Sequence, residues 1–206
     1  MIQVSQKPLN FEDFISEYGD NEQYELLEGE LIEMEPTGPH EQVAGLINCE
    51  FNFEIRRLKL PYLIPLRCLI KPLGIASAFR PDVIVLDRLA LENEPLWQRE
   101  PIVTLGTTIK LVVEVVSTNW QNDYARKMDD YQVLGIPEYW IVDYLGLGGT
   151  FFIGSPKQPT ITICKLENGS YKMSQFRNSQ SLVSSTFSEL ELTAEQVFNA
   201  GKIQLQ

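Results

Sequence analysis

The sequence predicts an α/β fold, a mixed sheet flanked by helices, with an extra N-terminal hairpin and with antiparallel strands and a helix at the C-terminus. Three observations carry this. Residues 109–144 read as strand, helix, strand: IKLVVEVVS, a helix-starting turn at Ser117-Thr118-Asn119, a polar-faced helix from Trp120 to Leu134, a stop at Gly135-Ile136-Pro137, then EYWIVDYL. Two apolar runs around one helix make a βαβ crossover with both strands parallel and buried. Upstream, a long amphipathic helix and two more strands give the order αβββαβ from His40 to Asp143. Downstream, short alternating segments at Thr150–Ile153, Thr160–Leu166 and Tyr171–Phe176 read as antiparallel strands, with Asn168-Gly169 a turn between the last two.

The remaining elements follow from local signals. Asn10 with Asp13 three residues later opens a short helix over Phe11–Glu17, with Phe11, Phe14 and Ile15 on its apolar side. YELLEGELIEM reads as a hairpin turning at Glu28-Gly29, its acids solvent-facing strand positions; Glu25, between Tyr24 and Leu26, is the one to watch. Thr37-Gly38-Pro39 starts a helix from His40 to Leu58, whose buried stripe is Val43, Ile47, Phe51, Ile55 and Leu58. Pro61 ends it, and strands follow over Leu66–Leu73 and Arg80–Asp87. Residues 88–107, rich in proline and acid, form a long surface connection with Trp97 tucked back. Thr193 and Gln196 make a capping box for a helix through Ala200. No repeat or boundary divides residues 1–206, which read as a single domain large enough for its own core.

Composition narrows the chemistry. His40 is the single histidine, which excludes H-E-x-x-H metalloproteases and multi-histidine zinc or iron centres. Any metal is therefore held largely by oxygen, which favours Mg²⁺ or Mn²⁺. Cys49, Cys68 and Cys164 form no C-x-x-C and fit reduced thiols, and no export or membrane signal is visible, so the expected location is the cytoplasm. A net charge of −11 opposes tight non-specific nucleic-acid binding. The charge is unevenly spread, however. Thirteen acids and no Lys or Arg lie between Pro8 and Ile55, whereas Arg56, Arg57, Lys59, Arg67, Lys71, Arg80 and Arg88 outnumber Asp82 and Asp87 in the next stretch. That stretch is either one basic face or a set of solvated charges.

One charge interrupts the central strand: Glu114, flanked by Val112, Val113, Val115 and Val116. A carboxylate there is costly unless it is paired or binds a metal. Asp82 opens the preceding strand. If the two strands are neighbours, both carboxylates converge on one cation and the Val115 carbonyl completes the set. The alternative is a pair of buried ion pairs. An acid pair beside a lysine suits metal-assisted phosphodiester hydrolysis.

These segments resemble the PD-(D/E)XK nuclease superfamily, whose core has the αβββαβ order of a restriction-endonuclease-like fold. More closely they resemble the Uma family of restriction endonucleases, through YELLEGELIEM, PTGPH, RPDVIVLD, LVVEVVSTNWQNDYARKMDDY and GIPEYWIVDY, over about residues 10–165. The resemblance implies that Pro81-Asp82 is the "PD" and Glu114 the acid of the "EXK". The superfamily lysine should stand two residues after that acid, where this chain has Val116. The family pattern instead has a serine followed by a D-x-x-x-K helix, here Ser117 and Asp123 to Lys127, so the resemblance implies that Lys127 supplies the displaced ammonium. Otherwise Asp123 and Lys127 are an exposed i,i+4 pair contributing about 0.2–0.5 kcal/mol. His40 also matches the pattern and implies a contact to phosphate or water, against a simple capping role. Arg80 is either a phosphate ligand or a solvated charge, and Tyr131, Tyr139 and Trp140 read as core.

The resulting expectation is a Mg²⁺- or Mn²⁺-dependent DNA endonuclease with catalytic Asp82, Glu114, Lys127 and His40, and with Asp82, Glu114 and Val115 holding the metal. A homodimer is expected by analogy, since cutting both strands takes two sites. The alternative is a non-catalytic binding or assembly module that keeps the fold. A serine hydrolase using Ser117 and His40 is disfavoured because no G-x-S-x-G elbow surrounds Ser117.

Overall fold

The computed structural model describes residues 8–74 and 76–202. α1 (Phe11–Tyr18) is capped by Asn10, whose side chain accepts from the Asp13 amide, and it buries Phe11 and Phe14. β1 (Tyr24–Leu27) and β2 (Glu30–Glu33) pair antiparallel around Glu28 and Gly29, both at positive φ, the geometry a two-residue hairpin turn demands. α2 (Gly38–Leu58) is capped by the Thr37 side chain and buries Val43, Ile47 and Phe51 as its spacing predicts.

The main sheet begins with β3 (Tyr62–Leu63) and continues with β5 (Val83–Asp87) and β7 (Ile109–Val115). A helix over 120–134 then leads to β8 (Glu138–Asp143). β9 (Thr160–Glu167) and β10 (Ser170–Phe176) complete the spatial order β10-β9-β8-β7-β5-β3. Only β7 and β8 are parallel; the other neighbours are antiparallel, so the sheet is mixed. β4 (Leu69–Ile70) and β6 (Ile102–Val103) form a separate small parallel pair, and α3 (Lys127–Leu134), α4 (Thr150–Ile153) and α5 (Ala194–Ala200) complete the order. Among the described residues no helix is long and apolar enough to cross a membrane.

The period of two along β7 sorts its side chains. Leu111, Val113 and Val115 pack with α2 and α5 in one core layer, where Phe51 meets Trp140 edge-on at 5.2 Å. Val112 and Val116 face the other layer with Tyr124, Tyr131, Tyr139 and Ile141. Each such side chain, fully buried, contributes about 1.5–3 kcal/mol. Glu114 shares that second face, beneath α3.

Two predicted strands are corrected. In Leu66–Leu73 only Leu69–Ile70 is extended, and the strand that joins the main sheet is Tyr62–Leu63 instead. Pro65, which lacks the N–H a ladder needs, separates Tyr62–Leu63 from the predicted run, and Leu66 is left 99 % exposed. Thr150–Ile153 is one helical turn between Gly149 and Gly154, which stacks Phe152 on Tyr124 at 4.8 Å. The predicted helix from Trp120 carries a π-helical segment, Asn122–Arg126, just before α3. Such segments occur frequently at functional sites.

Candidate active site

Asp82 precedes β5 and Glu114 lies near the end of β7, the strand that β5 pairs with antiparallel; Val83 stands opposite Val113. The Val115 amide donates to Asp82 Oδ2 at 2.6 Å, which ties the first acid to the residue after the second. His40, at the start of α2, completes this corner. Its Nε2–H donates to the Val115 carbonyl at 2.9 Å and stands 3.6 Å from Asp82 Oδ1. Nδ1 is buried without a hydrogen-bond partner, 3.7 Å from Glu41.

Lys127 reaches the other acid. Its Nζ lies 3.0 Å from Glu114 Oε2, 3.0 Å from Glu25 Oε2 and 3.7 Å from Asp123 Oδ1. Tyr131, one turn further along α3, donates to Glu114 Oε1 at 2.6 Å. Lys127 is 6 % exposed and Asp123 7 %, so the reading of this pair as solvent-exposed is ruled out. Glu25 is buried as well and accepts from the Arg80 amide at 2.6 Å.

Three carboxylates thus share one ammonium, with Asp82 nearby. Burial pushes Glu114 well above the ordinary glutamate range; Lys127 opposes this while Glu25, Asp123 and Asp82 add to it. Burial likewise raises Asp82, against the pull of His40, the Val115 amide and Lys127. Asp123 is pushed up to about 7, by burial first. For Lys127 burial works against the charge, but Glu114, Glu25 and Asp123 outweigh it and hold the ammonium protonated.

A cavity of about 1020 Å³ opens over this cluster, bounded by the hairpin, the start of α2 and the segment 116–123. Its outer wall adds Glu22, Glu33, Glu35 and Glu41, against Arg67 and Arg80. The predicted basic stretch forms no single face. Arg57 is held by Glu54 and Glu189, Arg67 by Glu22, and Lys71 lies near Glu12. Arg56 and Arg57 occupy the last turn of α2, roughly 25 Å along the helix from His40. Arg80 is not a free charge either, since its guanidinium donates to the Tyr24 and Gly19 carbonyls.

The donor set suits a hard cation in chemistry and charge: two carboxylates, one backbone carbonyl, and more negative charge than Lys127 balances. Asp82 Oδ1 lies on the His40 side, and the Val115 carbonyl keeps a second lone pair beside its bond to His40. Among the described residues no three His, Cys, Asp or Glu side chains form a preformed metal cage. Mg²⁺ commonly takes only one or two carboxylates and keeps several waters, so this set fits it.

All five residues anticipated from sequence, His40, Asp82, Glu114, Val115 and Lys127, meet at this one place. Ser117 lines the same cavity, with its Oγ accepting from the Asn119 amide at 3.5 Å and His40 committed elsewhere. Tyr131 went unread as a site residue, and Glu25 was singled out without a role. Tyr131 is core, yet its hydroxyl holds Glu114; its i,i+4 spacing from Lys127 was the available signal. Glu25 offered only its place in a hairpin.

The order of the core and the acid pair on adjacent strands define a protein of the restriction-endonuclease-like fold. The chain belongs to the Uma2 family, described as "Putative restriction endonuclease", whose family model matches residues 11–195. Among solved structures it is similar to a putative nuclease belonging to DUF820 from Anabaena variabilis ATCC 29413, at 18% identity and a TM-score of 0.68, over 95% of this chain and 100% of that one. No functionally curated protein matches.

Proposed function

We propose that this chain is a Mg²⁺- or Mn²⁺-dependent nuclease that hydrolyses phosphodiester bonds in DNA. The observation that carries the reading is the meeting of Asp82, Glu114 and Lys127, from two adjacent strands and a helix, at the floor of one cavity. The Asp82 and Glu114 carboxylates and the Val115 carbonyl would hold the ion. When bound, it supplies Lewis-acid stabilisation of the charge that grows on phosphate. Asp82 is oriented by the Val115 amide, and His40 fixes the Val115 carbonyl. Lys127 donates from the opposite side to the developing oxyanion, the role of the superfamily's strand lysine. Because the cavity wall is acidic and few Lys or Arg face it, DNA binding is weak without the cation. Cutting both strands of a duplex takes two such sites, so a homodimer belongs to this reading.

The acidic wall also favours a second reading, a binding or assembly module that keeps the fold without cleavage. A cleavage assay with Mg²⁺ or Mn²⁺ on duplex DNA, single-stranded DNA and RNA, with Asp82→Ala as control, separates the two. Cleavage lost in the control supports the nuclease. Cation binding with no cleavage of any substrate selects the module.

A further inference from the structure

Glu25 comes from outside the main sheet, yet it holds the Lys127 ammonium as closely as Glu114 does. We infer that Glu25 is a positioning residue that keeps this ammonium in the site when Glu114 turns to a cation. The inference rests on the nuclease reading for its purpose, but not for its test.

An ammonium has three donors, and here they face Glu25, Glu114 and Asp123. Each carboxylate is carried by a different element: the hairpin, the central strand, and the helix of Lys127 itself. A divalent ion drawn to Glu114 competes with Lys127 for Oε2, since Oε1 is already held by Tyr131. With Glu114 withdrawn, Asp123 alone stands 3.7 Å away, too far for a good hydrogen bond. Glu25 is the partner that remains, with contacts to Nζ at 3.0 Å and 3.2 Å.

Glu25 is itself fixed rather than adaptable. The Arg80 amide donates to its Oε1, and the neighbouring Leu26 and Ala78 exchange backbone hydrogen bonds at 2.9 Å and 2.8 Å. The Arg80 side chain grips the hairpin in return, through the Tyr24 carbonyl at 3.1 Å and the Gly19 carbonyl at 2.7 Å. The residue before Pro81-Asp82 thus sets the place of Glu25, which sets the place of Lys127. Lys127 stands on the helix rather than two residues after Glu114 on the strand, and Glu25 fixes its ammonium there.

The test is a double-mutant cycle of Glu25→Gln and Lys127→Met on the full chain, read by Mn²⁺ titration and by melting without metal. With Lys127 present, Glu25→Gln should weaken Mn²⁺ binding about tenfold, because the ammonium falls back on Glu114; with Met at 127 the loss should be less than about threefold. Equal weakening in both backgrounds would overturn the inference and make Glu25 a cation ligand. No weakening in either would reduce it to a structural tie. In the metal-free melts the double variant should lose less than the sum of the singles; additive losses overturn the inference whether or not the ion binds. Where the wild-type chain cleaves DNA, Glu25→Gln should lower kcat about tenfold to a hundredfold with KM unchanged, and add nothing to Lys127→Met. If the wild type cleaves nothing, the nuclease reading fails while the Mn²⁺ and melting cycles still decide the role of Glu25. Should Glu25→Gln unfold, Glu25→Asp, which draws the carboxylate back by one methylene, replaces it with the same expected pattern.

Discussion

Glu114 on β7 and Glu138 on β8 stand on adjacent parallel strands, 3 % and 0 % exposed, and their surroundings differ in kind. Glu138 faces the α2 side of the sheet with Trp140. Its oxygens accept from the Trp140 indole N–H, the Ser185 and Thr186 amides and the Thr186 hydroxyl, at 2.7–2.9 Å. Neutral donors saturate it, and it staples the segment before α5 to the sheet. Glu114 faces the other side, under a cavity, with one ammonium, one tyrosine hydroxyl and three rival carboxylates around it. A buried acid in an apolar strand is therefore not in itself a sign of chemistry. What separates the two is whether the surroundings satisfy the charge or compete for it.

The largest way to probe that contrast is to remove the saturated acid. Glu138→Ala leaves the buried Trp140 indole N–H unpaired and strips the Ser185 and Thr186 amides of their shared acceptor, and it should cost on the order of 3 kcal/mol of unfolding free energy, measured by urea denaturation. The same experiment on Glu114→Gln should show a change below about 1 kcal/mol, since a crowded charge is removed and an acceptor for Tyr131 kept. A larger loss would make Glu114 structural.

Cleavage should invert the ranking. Glu114→Gln should lower the rate on the order of a hundredfold, about 2.7 kcal/mol in the barrier, while Glu138→Gln measured below its melting temperature stays within about threefold. Lys127→Ala should share the hundredfold loss. Because its ammonium is buried among carboxylates, it should also destabilise, more than the few tenths of a kcal/mol an exposed pair would cost.

Cation response is next in size. A tenfold excess of Mg²⁺ or Mn²⁺ over Kd should stabilise the chain by about 1.4 kcal/mol, seen as a rise in Tm. The rise should survive Glu138→Gln and vanish in Glu114→Gln; its persistence in the latter would remove Glu114 from the ion's partners.

The smallest effect is the pH slope. Asp123 is raised from 3.8 to about 7 in the folded chain, so between those values the native state holds a proton that the unfolded state has released. Stability from this group is therefore complete below its ordinary value and lost as pH rises towards 7, with a slope of at most about 1.4 kcal/mol per unit. Metal-free melts should fall over that window and fall less in Asp123→Asn. An unchanged slope would mean that Asp123 titrates normally.

Much of this was legible because the informative signals are local. The βαβ at 109–144, the Thr37 cap and the Asn168-Gly169 turn are set by neighbours in sequence, and the structure keeps them. Asp82 and Glu114 could be placed together because the two strands pair, whereas Lys127 entered through the family resemblance alone. TFFI at 150–153 misled, since an apolar four-residue run has no period of its own and packing against Tyr124 decided its shape. The basic stretch stayed open between one face and separate charges for a related reason: its partners Glu12, Glu22 and Glu189 are distant in sequence, and pairing across the fold disperses it. Glu25 could not be assigned, since nothing in YELLEGELIEM says which strand end meets a lysine more than a hundred positions away.

That separation bears on the order in which the molecule assembles. The contact between Glu25 and Lys127 closes a loop of 102 residues, whereas Lys127 and Glu114 are only 13 apart. Short closures cost less entropy and form early; long ones wait for the intervening chain to be in place. The crossover can thus acquire its acid, tyrosine and lysine while the hairpin is still unattached. Maturation of the charge cluster is then a late event in folding, gated by the docking of a segment at the far end of the chain.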